Sequence, residues 1–199
     1  VAKAVKAARA HVEARERAIL EDFRTLLALP NVSTNLDDMA RNAEWIEAQL
    51  AERGFSHERV SAGNAPYILA ERDFRDATRT LLIYAHFDGQ PVDPTEWATP
   101  PFEPTLRAGS LEDGAPVVPW AAIVPPVDPT WRIYGRSAGD DKAPVIALLA
   151  ALDALEAAGV APTVNVKLIL DGEEEYGSPT LADVLAAHGD KLAADVLLF

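Results

Sequence analysis

Three short segments of the chain place histidine or carboxylate side chains close together. The first, AHFDGQ, contains His86 and Asp88. Residues two apart on an extended segment point the same way, so these two side chains can share a target. The spacing suits a metal-ligating imidazole that a neighbouring carboxylate orients. A histidine at a strand end is also common in a purely structural role, so this pattern alone is a weak indication.

The other two segments are acidic. GRSAGDDKAP contains Asp140 and Asp141, and a pair of acids before a helix has an ordinary explanation as a cap that compensates the helix dipole. LDGEEEYGS contains Glu173, Glu174 and Glu175. Three successive carboxylates repel one another, and a bound cation would remove that repulsion. A solvated acidic turn is the alternative interpretation of the third segment.

Taken together, the three segments supply imidazole nitrogen and carboxylate oxygen, which are ligand atoms of zinc and similar divalent ions. The chain has no cysteine, which excludes thiolate ligands and disulfides. The combination is far more specific than any one segment. The sequence therefore predicts a divalent metal site.

Alternating helices and strands are predicted to carry these segments. Helices are indicated where apolar residues recur at three- and four-residue steps, and strands by short apolar runs. The predicted helices cover about residues 5–29, 35–54, 145–158 and 178–187, and the predicted strands residues 67–70, 80–85, 164–170 and 196–199. This order favours an α/β fold with a mostly parallel sheet that has helices on both faces. Residues 91–131 are rich in proline and show little periodicity, which is typical of a functional or poorly ordered connection.

The formal net charge of −13 argues against nucleic acid or an anionic membrane as a partner, because both would be repelled. No run approaches the roughly 18 apolar residues that a membrane span needs. The sequence thus predicts neither a nucleic-acid partner nor a membrane partner. A cytoplasmic location is favoured, with a periplasmic or secreted location left open.

The motifs AHFDGQPVD, YGRSAGDDKAP and DGEEEYGS resemble those of the co-catalytic zinc peptidases and deacylases. This family includes carnosine dipeptidase, carboxypeptidase G, peptidase V and succinyl-diaminopimelate desuccinylase, and the QPVD and EWATPPFEP segments are most similar to its dipeptidase branch. The resemblance runs from about Leu20 to Phe199. It implies that residues 1–199 are the N-terminal portion of a catalytic domain, with an inserted dimerisation domain and a C-terminal portion absent. The complete enzyme would be a homodimer.

The resemblance also implies roles for individual residues. The metal ligands would be His86, Asp140 and Glu175. They would hold part of a site for two zinc ions, with manganese or cobalt possible, and Asp140 would bridge both ions. Asp88 would orient His86, and Glu174 would be the general base that takes a proton from the attacking water. Further ligands would follow Phe199.

Two details near Asp140 are implied by the same resemblance. The peptide bond between Asp140 and Asp141 would be cis. Many members have glycine where this chain has Ser137 and Ala143. These differences lie beside the ligands rather than at them. They are therefore expected to change the local backbone geometry and not metal binding. Residues 108–131 are longer than the short turn of carnosine dipeptidases and would shape the substrate entrance.

The implied activity is hydrolysis of the amide bond of dipeptides or N-acyl amino acids by a water activated between two zinc ions. His86, Asp140 and Glu175 are expected to converge at one sheet edge. Two alternatives stay open: a magnesium-dependent phosphatase, against which His86 argues, and a catalytically inactive fragment or assembly partner. With only part of the ligand set present, residues 1–199 alone are expected to be inactive and to hold metal weakly.

Overall fold

The computed structural model describes residues 2–199, and the chain divides into two compact units. Unit 1 consists of Val1–Leu29 and Pro91–Ala158, and unit 2 of Pro30–Gln90 and Gly159–Phe199. Each unit is therefore built from two separate stretches of sequence. Within residues 2–199, no helix combines the length and the apolar character needed to cross a membrane.

The helices and strands follow the predicted order, with some additions. The helices are α1 (Ala2–Leu27), α2 (Leu36–Glu52), α3 (Lys142–Ala157) and α4 (Leu181–Leu192). The strands are β1 (Ser56–Val60), β2 (Tyr67–Arg72), β3 (Thr80–His86), β4 (Thr105–Arg107), β5 (Arg132–Tyr134), β6 (Asn165–Asp171) and β7 (Val196–Leu198).

The ends of α2 show why the sequence located it well. The side chain of Asn35 accepts a hydrogen bond from the Asp38 N–H, which satisfies one of the otherwise unpaired donors of the first turn. After the last turn, Gly54 adopts a φ of 74°, in the left-handed region that glycine enters without a steric penalty. Both signals are local, so they can be recognised without the rest of the fold.

In unit 1, α1 packs against α3, and residues 108–131 of the proline-rich stretch connect the two strands of a small sheet. Strands β4 and β5 pair antiparallel, with Leu106 opposite Ile133. The Trp120 indole N–H donates to the Pro104 carbonyl over 3.0 Å, and the Arg24 guanidinium lies 5.1 Å from the centroid of the Trp120 ring. The stretch that lacked periodicity is thus held by a short strand pair, by backbone hydrogen bonds and by side-chain contacts rather than by long elements.

Unit 2 contains a five-stranded sheet in the order β1-β2-β6-β3-β7. The α/β class is confirmed, but the sheet is mixed rather than mostly parallel. Strand β3 is parallel to both β6 and β7, whereas β2 is antiparallel to both β1 and β6. Strand β1 was not predicted from the sequence, because SHERV is polar and four of its five residues are exposed.

The core of unit 2 lies between the sheet and its helices. One buried cluster joins Tyr67 and Leu69 of β2 and Ile169 of β6 to Val184 and Leu192 of α4. Helix α2 contacts β1 and β2 and buries its own apolar stripe. Full burial of each such side chain contributes about 1.5–3 kcal/mol. This packing fixes the positions of β2 and β6, and β6 in turn positions β3.

Candidate functional site

The site begins where β3 and β6 end side by side. In their parallel register His86 is the partner of Asp171, and the Phe87 N–H donates to the Asp171 carbonyl over 2.9 Å. Both strands therefore deliver their C-terminal residues to the same sheet edge, which is where open α/β sheets bind ligands. The segment with His86 and Asp88 and the segment with the three successive glutamates therefore meet at this edge.

Asp88 connects the two segments. It is fully buried, and its Oδ1 lies 3.2 Å from Nδ1 of His86. The backbone N–H of Glu174 donates to Oδ1 over 3.1 Å, and that of Glu175 donates to Oδ2 over 3.0 Å. One carboxylate thus holds both the imidazole and the backbone of residues 173–175, which we call the acidic turn. If Nδ1 of His86 donates to Asp88, Nε2 carries the lone pair that can bind a metal.

The other nitrogen of His86 faces Glu174. The distance from Nε2 to Oε2 of Glu174 is 3.7 Å, longer than a hydrogen bond. The side chain of His86 is 9% exposed, whereas that of Glu174 is 44% exposed. A buried nitrogen donor and an accessible carboxylate therefore share one side of the sheet edge. The donor set of His86, Glu174 and Glu175 is of the imidazole and carboxylate type that divalent ions bind.

Two buried acids, Asp171 and Glu173, lie next to this edge. Oδ2 of Asp171 accepts hydrogen bonds from the hydroxyls of Ser178 over 2.7 Å and Tyr84 over 3.1 Å, and its Oδ1 accepts from the Glu173 N–H over 2.8 Å. Oε1 of Glu173 accepts from the Tyr67 hydroxyl over 2.8 Å and from both the N–H and the hydroxyl of Thr180. These bonds hold the acidic turn from the inside.

Burial shifts the pKa values of Asp171 and of the two tyrosines that donate to these acids. Burial raises the pKa of Asp171, and the hydrogen bonds from Ser178, Glu173 and Tyr84 lower it again in part. Burial raises the pKa of Tyr67 beyond its usual range, and the hydrogen bond to Glu173 is the next largest cause in the same direction. The pKa of Tyr84 is raised in the same direction by burial and by the charge of Asp171. Both tyrosines are therefore hydroxyl donors throughout the physiological range.

Asp171, Tyr67 and Tyr84 were not predicted as site residues from the sequence. A signal existed for Tyr84, which lies two residues before His86 in the same strand and so projects from the same face. Asp171 ends an apolar strand, as His86 does. Nothing local identifies Tyr67, whose partner Glu173 is 106 residues away in sequence.

Asp140 and Asp141 lie in unit 1, immediately before α3. The peptide bond between them is cis, as the family resemblance implied. Asp141 occupies the N-cap position of α3, yet within the described residues its side chain makes no capping hydrogen bond. Ordinary helix capping therefore does not explain this residue. The neighbouring Ser137 has a φ of 63°, in the left-handed region where glycine is favoured.

Lys142 anchors the same segment. Its side chain is fully buried, and Nζ donates to the carbonyls of Leu26 and Leu29, each over 2.8 Å. These carbonyls lie at or just beyond the C-terminal end of α1, where the helix dipole favours a cation. The Lys142 amine thus ties the start of α3 to the end of α1 within unit 1.

Unit 2 brings together four of the five predicted site residues, which are His86, Asp88, Glu174 and Glu175. The fifth, Asp140, belongs to unit 1, and its bridging role stays a prediction. The assignment of each residue as ligand or base likewise stays a prediction, while their clustering at the ends of β3 and β6 is a property of unit 2.

The chain is similar to known proteins over most of its length. Residues 82–198 match the family model described as peptidase family M20/M25/M40. The chain is 28% identical over 169 residues to the Cys-Gly metallodipeptidase of Schizosaccharomyces pombe, covering 83% of this chain and 31% of that protein. It is 29% identical over 177 residues to the succinyl-diaminopimelate desuccinylase of Delftia acidovorans, covering 84% and 39% respectively. The chain thus spans well under half the length of these curated relatives.

A solved structure shares the fold. The structure of a dipeptidase from Saccharomyces cerevisiae aligns with a TM-score of 0.77 and 22% identity, covering 99% of this chain and 41% of that one. At this identity the likeness shows the fold alone.

Proposed function

Because this chain belongs to peptidase family M20/M25/M40, we propose that it contributes to the active site of a metal-dependent hydrolase of dipeptides or N-acyl amino acids. The observation that carries the proposal is the cluster at the ends of β3 and β6. There one buried carboxylate, Asp88, holds His86 and the backbone of Glu174 and Glu175. The names of the relatives, a metallodipeptidase and a desuccinylase, support the amide bond as the target.

The family is metal-dependent, and we propose zinc as the metal, two ions per complete site, with manganese or cobalt as substitutes. The ligands from this chain would be His86, Asp140 and Glu175. When bound, the ions lower the pKa of water and polarise the scissile carbonyl. The imidazole argues for zinc over magnesium, because magnesium prefers oxygen ligands.

The residues of the acidic turn divide the remaining work. Glu174 faces Nε2 of His86 and is partly exposed, so it can accept a proton from water and pass it to the leaving amine. Asp88 keeps His86 in one orientation and fixes the turn that presents Glu174. A general base must be both accessible and positioned, and Glu174 meets both conditions.

The roles of base and ligand are separated by Glu174→Gln in the full-length gene product. We expect zinc content to stay near that of the unaltered enzyme while turnover of dipeptides falls by about two to four orders of magnitude. Glu103→Gln, at an exposed glutamate of unit 1, is the matched control and should change neither quantity. Loss of zinc in Glu174→Gln, or full activity, would refute the assignment.

Substrate class is tested with the unaltered full-length enzyme. Dipeptides and N-succinyl amino acids should be hydrolysed with zinc present. Hydrolysis of phosphate monoesters with magnesium and not of amides would support the phosphatase alternative instead.

A further inference from the structure

We propose that Gln90 is a positioning residue for Glu175, which it holds in the orientation needed to bind metal. This inference rests on the proposed function, since it takes Glu175 as a ligand. The Gln90 side-chain amide donates from Nε2 to Oε2 of Glu175 over 2.6 Å and to the Glu175 carbonyl over 3.2 Å. One amide thus contacts both the side chain and the main chain of the same residue.

Glu175 is held by the segment that follows β3. Its N–H donates to Oδ2 of Asp88, while its carbonyl and its carboxylate accept from Gln90. A partly exposed glutamate has three side-chain torsions and samples many rotamers unless contacts select one. Contacts from residues 88 and 90 to backbone and carboxylate together restrict these torsions.

The segment that provides this clamp is itself fixed. The Gly89 N–H donates to the Asn31 carbonyl over 2.8 Å, and the buried Asn31 side-chain amide donates to the Phe87 carbonyl over 2.8 Å. Gln90 therefore extends from a backbone that is bonded on both sides of Asp88. A clamp on a fixed backbone can impose an orientation, whereas one on a loose loop would move with its target.

An amide suits this position on electrostatic grounds. Its N–H donors fix the carboxylate, but the amide carries no charge, so Glu175 keeps its negative charge for a cation. A lysine or arginine in its place would neutralise the ligand. Hydrogen bonds of this kind to ligating carboxylates typically change metal affinity or activity by about 10–100-fold.

The test compares Gln90→Met with Gln49→Met as matched control, both in the full-length gene product. Methionine keeps the length of glutamine but has no N–H donor, and Gln49 lies on α2 with Arg53 as its partner. Zinc affinity is measured by competition with a chromophoric chelator. We expect Gln90→Met to bind zinc about 10–100-fold more weakly and Gln49→Met to bind it normally.

Two further measurements separate positioning from a structural role. The melting temperature without metal should be the same for Gln90→Met and the unaltered chain, because the contact is at the surface; a parallel fall in melting temperature would indicate a structural role and overturn the inference. In a Glu175→Ala background, Gln90→Met should cause no additional loss of affinity, because the two residues act as one unit.

Failure of the inference differs from failure of the proposed function. If the unaltered full-length gene product binds zinc and its Gln90→Met variant binds it equally well, the positioning role is refuted and the proposed function stands. If the unaltered full-length gene product binds no divalent ion at all, the proposed function fails and this inference fails with it.

Discussion

Replacing Tyr67 with phenylalanine removes a single hydroxyl donor from beneath the acidic turn. Tyr67 is fully buried and its hydroxyl lies 2.8 Å from Oε1 of Glu173, which is only 1% exposed. Among the described residues, Oε2 of Glu173 has no hydrogen-bond partner, so Oε1 receives every bond that this carboxylate has. Water cannot replace the lost donor without entering the core.

A hydrogen bond to a charged group contributes about 1.5–3 kcal/mol, so Tyr67→Phe should lower the free energy of unfolding by about that amount. For a chain of this size the melting temperature should fall by roughly 3–12 °C. Urea unfolding followed by circular dichroism measures the change. The dependence on denaturant should keep its slope, because the surface exposed on unfolding is nearly the same.

Tyr84→Phe provides the comparison. Tyr84 is only partly buried, and its partner Asp171 keeps the Ser178 hydroxyl and the Glu173 N–H when the Tyr84 hydroxyl is removed. The expected loss is smaller, about 0.5–1.5 kcal/mol. A change below about 0.5 kcal/mol in Tyr67→Phe, or a larger effect in Tyr84→Phe, would show that the bond to buried Glu173 does not contribute as argued.

Two other perturbations test one buried polar group in each unit, Asp171 in unit 2 and Lys142 in unit 1. Because burial raises the pKa of Asp171 above its ordinary 3.8, the folded state binds more protons than the unfolded state just above that pH, so the contribution of Asp171 to stability should decline as pH rises through this window. Unfolding measured against pH should show this decline in the unaltered chain and not in Asp171→Asn. Lys142→Met removes the donor to the carbonyls of Leu26 and Leu29 and should cost about 2–5 kcal/mol, whereas Lys142→Arg should recover part of that loss. An unchanged midpoint in Lys142→Met would show that these carbonyls find other donors.

Local features of the sequence predicted a large part of this structure. The helix signals at Asn35 and Gly54 and the apolar runs that became β3 and β6 depend only on neighbouring residues, so their positions were predicted to within a few residues. The two-residue spacing of His86 and Asp88 predicted their contact. The family resemblance is confirmed by the match over residues 82–198.

Tertiary structure decided what depends on contacts between distant parts of the chain. The polar strand β1 forms because β2 is present to pair with it, and the antiparallel direction of β2 makes the sheet mixed. The acidic turn donates two hydrogen bonds to Asp88, and their sequence separations are 86 and 87 positions. The hydrogen bond from Tyr67 to Glu173 spans a sequence separation of 106 positions. Their geometry depends on strand register, and register is set by packing of the whole sheet rather than by any one segment.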